Sequence, residues 1–185
     1  MVKREQIMDN DNIFNECENN MPMKPVYVLP NGKALGAKDF CRYFEKKILY
    51  TIRKFGMSRE AEVKKTPYLN SRVLLHLYGK FGFLKNSSKI IALDDSTDDV
   101  ATLMMESWFQ HKSVDLAPRT SKVIRPLFLM TDNEIKIYAS LKRIGGKDKR
   151  KSDARAMLDE MEKKHPEIKR AIVQSCLQLL AIRKR

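Results

Sequence analysis

The stretch SKIIALDDSTDDVATLMMESWFQHK, Ser88 to Lys112, carries three consecutive signals of one α/β unit. Its first part, KIIAL, is short, rich in β-branched residues and flanked by polar residues, which predicts a buried strand. Ser96 is followed three residues later by Asp99, a capping box with aspartate in place of glutamate, which predicts that a helix begins there. A strand, an acidic turn and a helix make half of a βαβ unit, so the stretch predicts the α/β class.

The segments before this unit predict a hairpin and two helices. VYVLPNGKAL contains an Asn-Gly pair that tolerates positive φ, which is typical of a tight β-hairpin turn. Asp39 is expected to cap a helix that Gly56 ends, and Asn70 is expected to cap a second helix. Residues 1–20 are polar and lack periodicity, which predicts a mobile tail.

The segments after the unit predict one more strand and three helices, so the class is α/β and mostly helical. VIRPLFLM reads as a strand whose proline restricts it to a sheet edge or end. Three helices follow it, each with its own start or stop signal. The proline of the strand is Pro126. The helix signals are the capping box Thr131 to Glu134, the helix stop Gly145, the cap Ser152 and the first-turn Pro166.

The charge of the chain is strongly positive, with 36 Lys and Arg against 23 Asp and Glu and a formal net charge of +13. A field of this sign attracts polyanions, although a solvated basic surface is the alternative. No apolar run approaches a membrane span and the start has no secretory signal, so a cytoplasmic protein without membrane contact is expected. Cys17, Cys41 and Cys176 form no C-x-x-C pair, which argues against a disulfide framework and a zinc site.

Three basic clusters are candidate RNA-binding sites, and a paired aspartate is a candidate relic of a nucleotide site. Asp98 and Asp99 could instead only stabilise the first turn of a helix. No catalytic residue and no metal ligand is predicted. His76 is interpreted as a packed or surface histidine, and His111 and His165 have no nucleophile or carboxylate partner identifiable by spacing. Trp108 is expected to anchor the core. The candidate RNA-binding residues are Arg42, Lys46, Lys47, Arg53 and Lys54 on one helix, and Lys147, Lys149, Arg150 and Lys151 in a turn, with Arg183 to Arg185 as a third cluster.

Taken in order, these segments resemble the tRNA 2-thiouridine synthases of the PP-loop (N-type ATP pyrophosphatase) superfamily, in the archaeal and eukaryotic group with an N-terminal zinc ribbon. VYVLPNGKALGAKDFCRYFEKKILYTIRKFGM is similar to that group's second ribbon hairpin and following helix. The opening stretch is similar to the family's strand, turn and helix, roughly A-T-G-H-N-x-D-D-x-A-Q. VIRPLFLMTDNEIKIYASLKRI resembles its I-R-P-L-x-x-x-x-E-x-E-x-x-x-Y-A, and MLDEMEKKHPEIKRAIVQSCLQL resembles its C-terminal helices more loosely.

The resemblance implies the remnant of a doubly wound parallel sheet of the adenine nucleotide alpha hydrolase type, of which two strands are expected to remain. It also implies ATP-dependent tRNA sulfur transfer, with ATP, magnesium, zinc and an iron–sulfur cluster as cofactors. The implied segments are a tail over 1–20, a degenerate zinc-ribbon hairpin and basic helix over 21–58, a truncated PP-loop-like core over 59–130 and a C-terminal helical region over 131–185.

The family's cofactor ligands are missing from this sequence, so no cofactor is predicted. The family's S-G-G-K-D-S loop, whose backbone N–H groups and helix N-terminus hold pyrophosphate, is absent after Gly56, where a long segment of the pattern has no counterpart. Gly36 and Asp39 stand where the ribbon keeps metal ligands. Asp94 and Asp95 replace a Gly-His pair in the acidic turn.

IGGKDKRKS, Ile144 to Ser152, is similar in sequence to the missing loop but lacks the preceding strand. A phosphate loop needs a strand before it and a helix that begins at its serine, whereas this stretch follows a capped helix. Ile144 stands where the first serine would be and Lys149 where the last would be, so we interpret the two glycines as a helix stop.

Three functional hypotheses follow. The first is a non-catalytic relative that binds tRNA or supports a tRNA-thiolating enzyme. The second is the C-terminal half of a split thiolase, and the third is a repurposed basic nucleic-acid-binding module. A small sheet with an open edge also predicts a partner, either a second copy of the chain or a catalytic thiolase subunit.

Overall fold

The computed structural model describes residues 24–112, 114–149 and 152–182, and the structural statements below concern those residues. Six helices surround two small sheets. None of these helices combines the length and the apolarity that a membrane crossing requires. The strands are β1 (Tyr27–Val28), β2 (Ala34–Leu35), β3 (Glu62–Val63), β4 (Ile91–Ala92) and β5 (Val123–Ile124). The helices are α1 (Ala37–Lys54), α2 (Leu69–Lys80), α3 (Thr97–Phe109), α4 (Asp132–Leu141), α5 (Asp153–Lys164) and α6 (Ile168–Ile182).

The larger sheet is parallel and has the order β3, β4, β5, with Glu62 opposite Ile91 and Ile91 opposite Val123. Helix α2 connects the first pair of strands and α3 connects the second pair, which makes two consecutive βαβ units. β1 and β2 form the antiparallel hairpin that the Asn-Gly pair predicts. The predicted class, α/β and mostly helical, is confirmed.

The predicted number of strands was wrong, and one predicted strand was too long. The parallel sheet has three described strands instead of two, because β3 lies in a charged segment whose alternating pattern is too short to recognise. The strand predicted over VIRPLFLM is present at an edge of the sheet, as predicted, but it ends at Ile124. Pro126 cannot donate to a ladder, and the backbone turns at once, with Phe128 N donating to Arg125 O at 3.1 Å.

The helix ends follow local signals where a capping box is present and tertiary contacts where it is not. The boxes at Ser96 and Thr131 are both formed, and Ser152 caps α5. The prediction that Asp39 and Asn70 are caps was wrong. Both lie inside helices whose N-cap residues, Gly36 and Tyr68, make no side-chain cap bond. Gly145 does not end α4. The helix stops at Leu141, and Arg143 adopts the left-handed conformation with φ of 54°.

Two apolar clusters hold the elements together. The first packs α1, α2 and α4 against one face of the parallel sheet, with the rings of Phe44 and Tyr138 stacked at 4.3 Å. The second joins α3, α5 and α6 around residues such as Leu158 and Cys176. Trp108 is not the predicted core anchor, because 46% of it is exposed at the end of α3. The four sequence segments proposed as domains stay a prediction.

Four tyrosines in or beside the first apolar cluster make the stability of the protein depend on pH in the alkaline range. Burial raises the pKa of Tyr27, Tyr43, Tyr78 and Tyr138, and nearby carboxylates add to the shift in all but Tyr78. Each phenol ionises more readily in the unfolded chain, so their contribution to stability is complete below pH of about 10 and is lost as the pH rises further. We expect tyrosinate absorbance and loss of helical circular dichroism to appear together above pH of about 10.

Tyr78 offers the control for this titration. Its hydroxyl is buried and has no hydrogen-bond partner in the described part of the chain. Tyr78→Phe removes both the unpaired hydroxyl and one of the titrating groups, so it is expected to stabilise the protein by about 1 kcal/mol and to raise the alkaline midpoint. Ionisation of these tyrosines without any loss of helix would contradict the assignment.

Candidate functional site

The carboxyl ends of the three parallel strands meet at one edge, where open α/β sheets usually bind their ligands. A cleft of about 500 Å³ lies there. Its walls come from the N-termini of α2, α3 and α4, from α5 and α6, and from the segment 147–149. The described residues lining it include Asn70, Asp98, Asp99, Asp132, Arg155 and Lys169.

The connection from β3 to α2, residues 64–68, occupies the strand-to-helix position where a phosphate loop would lie. It contains no glycine, and the first N–H of α2, on Leu69, donates to the carbonyl of Lys147 at 2.9 Å. The N–H of Lys147 in turn donates to the carbonyl of Pro67 at 2.9 Å. This helix N-terminus, which could otherwise attract an anion, is therefore partly satisfied by the chain's own backbone.

Gly146 allows that close approach. A Cβ atom at Gly146 would lie 2.6 Å from Cα and 2.8 Å from N of Leu69, which leaves no room for any side chain. The two glycines of IGGKDKRKS therefore do not form a phosphate-binding loop. It brings residues 144–149 onto the start of α2, beside the place where such a loop is expected.

Lys149 extends from the same segment into the acidic turn of α3. Its Nζ atom donates to Asp99 Oδ2 at 2.8 Å and approaches Asp94 Oδ1 at 3.4 Å. Burial alone would lower the pKa of Lys149, but the neighbouring carboxylates outweigh it and the pKa is raised. Burial also raises the pKa of Asp99, against the opposing effect of Lys149. The charge of Lys149 is therefore already matched inside the protein.

Lys169 occupies the centre of a second acidic group. Its Nζ atom donates to Asp98 at 2.9 Å, to Asp159 at 2.7 Å and to Glu162 at 2.7 Å. The three carboxylate oxygens lie within 4.8 Å of one another, a spacing that could also suit a metal ion. Only 4% of Lys169 and 5% of Asp98 are exposed, so this ion pair is buried, while Asp159 and Glu162 close the cluster from the partly exposed side.

Arg155 joins the two acidic groups. Its guanidinium makes a short bond to Asp132 and approaches Asp98 at 3.4 Å and Asp99 at 3.5 Å. Ser96 Oγ donates to the other oxygen of Asp132 at 2.6 Å, so the N-termini of α3 and α4 are tied to α5. Among the described residues the cleft is lined by eight carboxylates and five basic side chains. This balance opposes the entry of a triphosphate.

A third polar cluster fixes the hairpin and α1 to α4. Glu134 is fully buried and accepts from Tyr27 and Tyr43 at 3.2 Å each and from Lys47 at 2.7 Å. Burial lowers the pKa of Lys47, although Glu134 opposes the shift. Lys47, a candidate RNA-binding residue, therefore has its charge paired with a buried carboxylate and is not displayed to solvent like its neighbours.

The rest of the predicted basic face of α1 is exposed. Arg42, Lys46 and Arg53 lie on one side of the helix, because an α-helix turns about 100° per residue and their spacings are four and seven. Tyr50 and Leu49 share that side and are 46% and 40% exposed. Lys54 Nζ lies 5.6 Å from the centre of the Tyr50 ring. We call the exposed residues Lys38, Arg42, Lys46, Leu49, Tyr50 and Arg53 the α1 basic face.

The remaining predicted residues are divided between two places. Lys147 is exposed at the rim of the cleft, and Asp98 and Asp99 line it. Arg150, Lys151 and Arg183 to Arg185 lie outside the described residues, as do Cys17 and the predicted tail.

Sequence reasoning missed Arg155, Lys169 and Asp132. One signal could have revealed Lys169. It stands three and four residues before Ile172 and Val173, on the buried stripe of α6, where an unpaired charge would be costly.

The cofactors that the family resemblance implies do not fit the described residues. Cys41 is half-buried on α1 and Cys176 is buried on α6, in separate apolar clusters, so they cannot share a zinc ion or an iron–sulfur cluster. Gly36 precedes α1 and Asp39 lies exposed in its first turn. At the cleft, the carboxylate group that could hold a metal ion already holds the ammonium of Lys169.

Comparison with known proteins gives a result at the level of fold. No family model matches the sequence, and no curated protein matches it. Among solved structures, the chain is similar to the U34-tRNA thiolase NcsA from Methanococcus maripaludis, determined with its 4Fe-4S cluster. The identity is 13%, the match covers 82% of each chain, and the TM-score is 0.63. The likeness shows that the chain shares the α/β fold of this thiolase, while the predicted truncation stays a prediction.

Proposed function

We propose that this protein is a pseudoenzyme related to the PP-loop tRNA thiolases, which acts in tRNA thiolation by binding tRNA and performs no sulfur transfer itself. The observation that carries the proposal is the cleft at the carboxyl ends of the parallel strands. There Lys149, Arg155 and Lys169 pair with the carboxylates that surround them. A nucleotide would have to displace these pairs.

The backbone at the same edge supports the same conclusion. Hydrogen bonds between Lys147 and the Pro67–Leu69 turn use the helix N-terminus that a pyrophosphate would need. Gly146 packs too tightly against Leu69 for a ligand to enter between them. These contacts support the proposal that the described part of the chain keeps the fold of a thiolase but does not hold its nucleotide at this edge.

The α1 basic face supports the binding half of the proposal. Its basic residues project from a rigid helix, and the exposed Tyr50 and Leu49 offer surfaces on which a base or ribose can pack. The surface lies away from the cleft's own ion pairs, on the helix that Glu134 and Lys47 fix in place. Lys147 is a second exposed cation at the cleft rim.

The split-enzyme hypothesis is less well supported by the geometry. A split thiolase would need its phosphate loop on the other polypeptide, whereas here the strand and helix that frame the loop position, β3 and α2, belong to this chain. The predicted catalytic subunit or second copy remains a proposal, as does the cytoplasmic location. Both outer strands of the parallel sheet are partly bridged, Ala61 to Leu84 and Arg119 to Ile124.

Titration calorimetry with ATP and magnesium, followed by tRNA, tests the proposed function. We expect no binding heat with ATP and a micromolar or tighter complex with tRNA whose affinity falls steeply with salt. Duplex DNA of equal charge is the matched competitor, and equal affinity for it would favour the repurposed nucleic-acid-binding module. ATP binding that is lost in Arg155→Gln would contradict the proposal, because it would place a nucleotide in the cleft.

A further inference from the structure

The N-terminal part of the chain carries the opposite charge to the α1 basic face. Between Glu5 and Met23 the sequence has five acidic residues and no lysine, arginine or histidine. The acidic positions are Glu5, Asp9, Asp11, Glu16 and Glu18, interleaved with apolar residues such as Ile13 and Phe14. The remainder of this strongly basic chain supplies the positive charge, and α1 displays part of it on an exposed helix face.

The chain enters the described structure beside α1. Tyr27, in β1, packs its ring against Phe40 at 5.1 Å and Tyr43 at 6.1 Å, both on α1. Residues 5–23 could span at most about 60 Å when extended. Helix α1 has 18 residues and is about 27 Å long. The described chain therefore begins close to α1, and the stretch of sequence before it is long enough to reach along all of the helix.

We propose that the segment Glu5–Glu18 lies on the α1 basic face and competes with nucleic acid for it. Its carboxylates would meet Lys38, Arg42, Lys46 and Arg53, and its apolar residues would cover Leu49 and Tyr50. The segment acts as an intramolecular mimic of the phosphate backbone, at the high effective concentration that covalent linkage gives. The competition with tRNA rests on the proposed function, whereas the contact itself does not.

The contact can be tested without any RNA, because Cys17 lies within the acidic stretch. In a Cys41→Ser, Cys176→Ala background, a nitroxide label on Cys17 is expected to broaden the amide signals of Arg42, Lys46 and Arg53 in NMR spectra. The broadening should disappear between about 0.1 M and about 1 M salt, as the screening length falls from about 10 Å to about 3 Å. Unbroadened α1 signals at low salt would overturn the proposal.

The competition is tested by a charge-neutral tail of unchanged length. Replacing the five acidic residues by their amides is expected to tighten tRNA binding about tenfold at low salt. The gain should vanish when Arg42, Lys46 and Arg53 are changed to glutamine, and should persist when Lys89, Lys112 and Lys122 are changed instead. An equal gain in both backgrounds would mean that the tail acts by net charge alone, and would overturn the proposed contact.

The two experiments separate this inference from the proposed function. Salt-sensitive broadening of α1 together with no tRNA affinity in any variant would support the contact and refute tRNA binding. Tight tRNA binding that the amide tail leaves unchanged would support the proposed function and refute the competition.

Discussion

Lys169→Met is expected to lower the free energy of unfolding by about 3–5 kcal/mol, a large part of the stability of a domain of this size. Methionine keeps most of the aliphatic volume but leaves Asp98, Asp159 and Glu162 without the ammonium that separates them. Because Asp98 is 5% exposed, it cannot recover the lost interaction from water. Urea unfolding at neutral pH measures the effect.

Two further variants make this result specific to the ion pairs of Lys169. Lys163→Met removes a lysine that pairs with Glu160 at the surface, and it should leave the urea midpoint unchanged within error. The double variant Asp98→Asn/Lys169→Met should be more stable than Lys169→Met alone, because it removes one of the stranded charges. If Lys169→Met lowers the free energy of unfolding no more than Lys163→Met does, Lys169 is not a structural counter-ion.

Neutralising Arg42, Lys46 and Arg53 together with glutamine is expected to weaken tRNA binding about 50-fold near 0.1 M salt. Each side chain is exposed, with no ion pair to another described residue, so its charge is available to a phosphate. Losing three such contacts should also reduce the slope of log affinity against log salt by about two to three. Filter binding or fluorescence anisotropy across a salt series measures both quantities.

The matched control for this variant is Lys89→Gln, Lys112→Gln and Lys122→Gln. These lysines are exposed near the amino ends of β4 and β5 and just after the end of α3, on elements other than α1, and their loss changes the net charge equally. Unchanged circular dichroism in both triple variants would confirm that the fold is intact. If both triple variants weaken tRNA binding equally, α1 is not a specific binding face and tRNA binds a diffuse positive surface.

Local signals in the sequence were sufficient where the chain satisfies its backbone locally. The capping boxes at Ser96 and Thr131 lie within four residues of their partners, so reading the sequence finds both. The start of α2 could not be found in this way, because its first N–H group bonds to Lys147, far along the chain. Strand β3 escaped prediction for a related reason: two paired residues carry no periodicity, and only the neighbouring strand defines them.

Only the acidic residues of the candidate site could be predicted from the sequence. Asp98 and Asp99 stand out as a pair at a helix start, but their partners Arg155 and Lys169 come from helices much later in the sequence. A basic residue on a helix shows neither its direction nor its partner until the packing is known. The same limit explains why Lys47 and Lys149 could not be distinguished from the exposed lysines beside them.

The counter-charge of the cleft is built into the polypeptide. In a protein that neutralises clustered carboxylates with a bound cation, the last stage of folding depends on the supply of that ion. Here the ammonium of Lys169 arrives with α6 itself. This corner of the molecule can therefore form once α6 has left the ribosome, with the ammonium of Lys169 as its counter-charge.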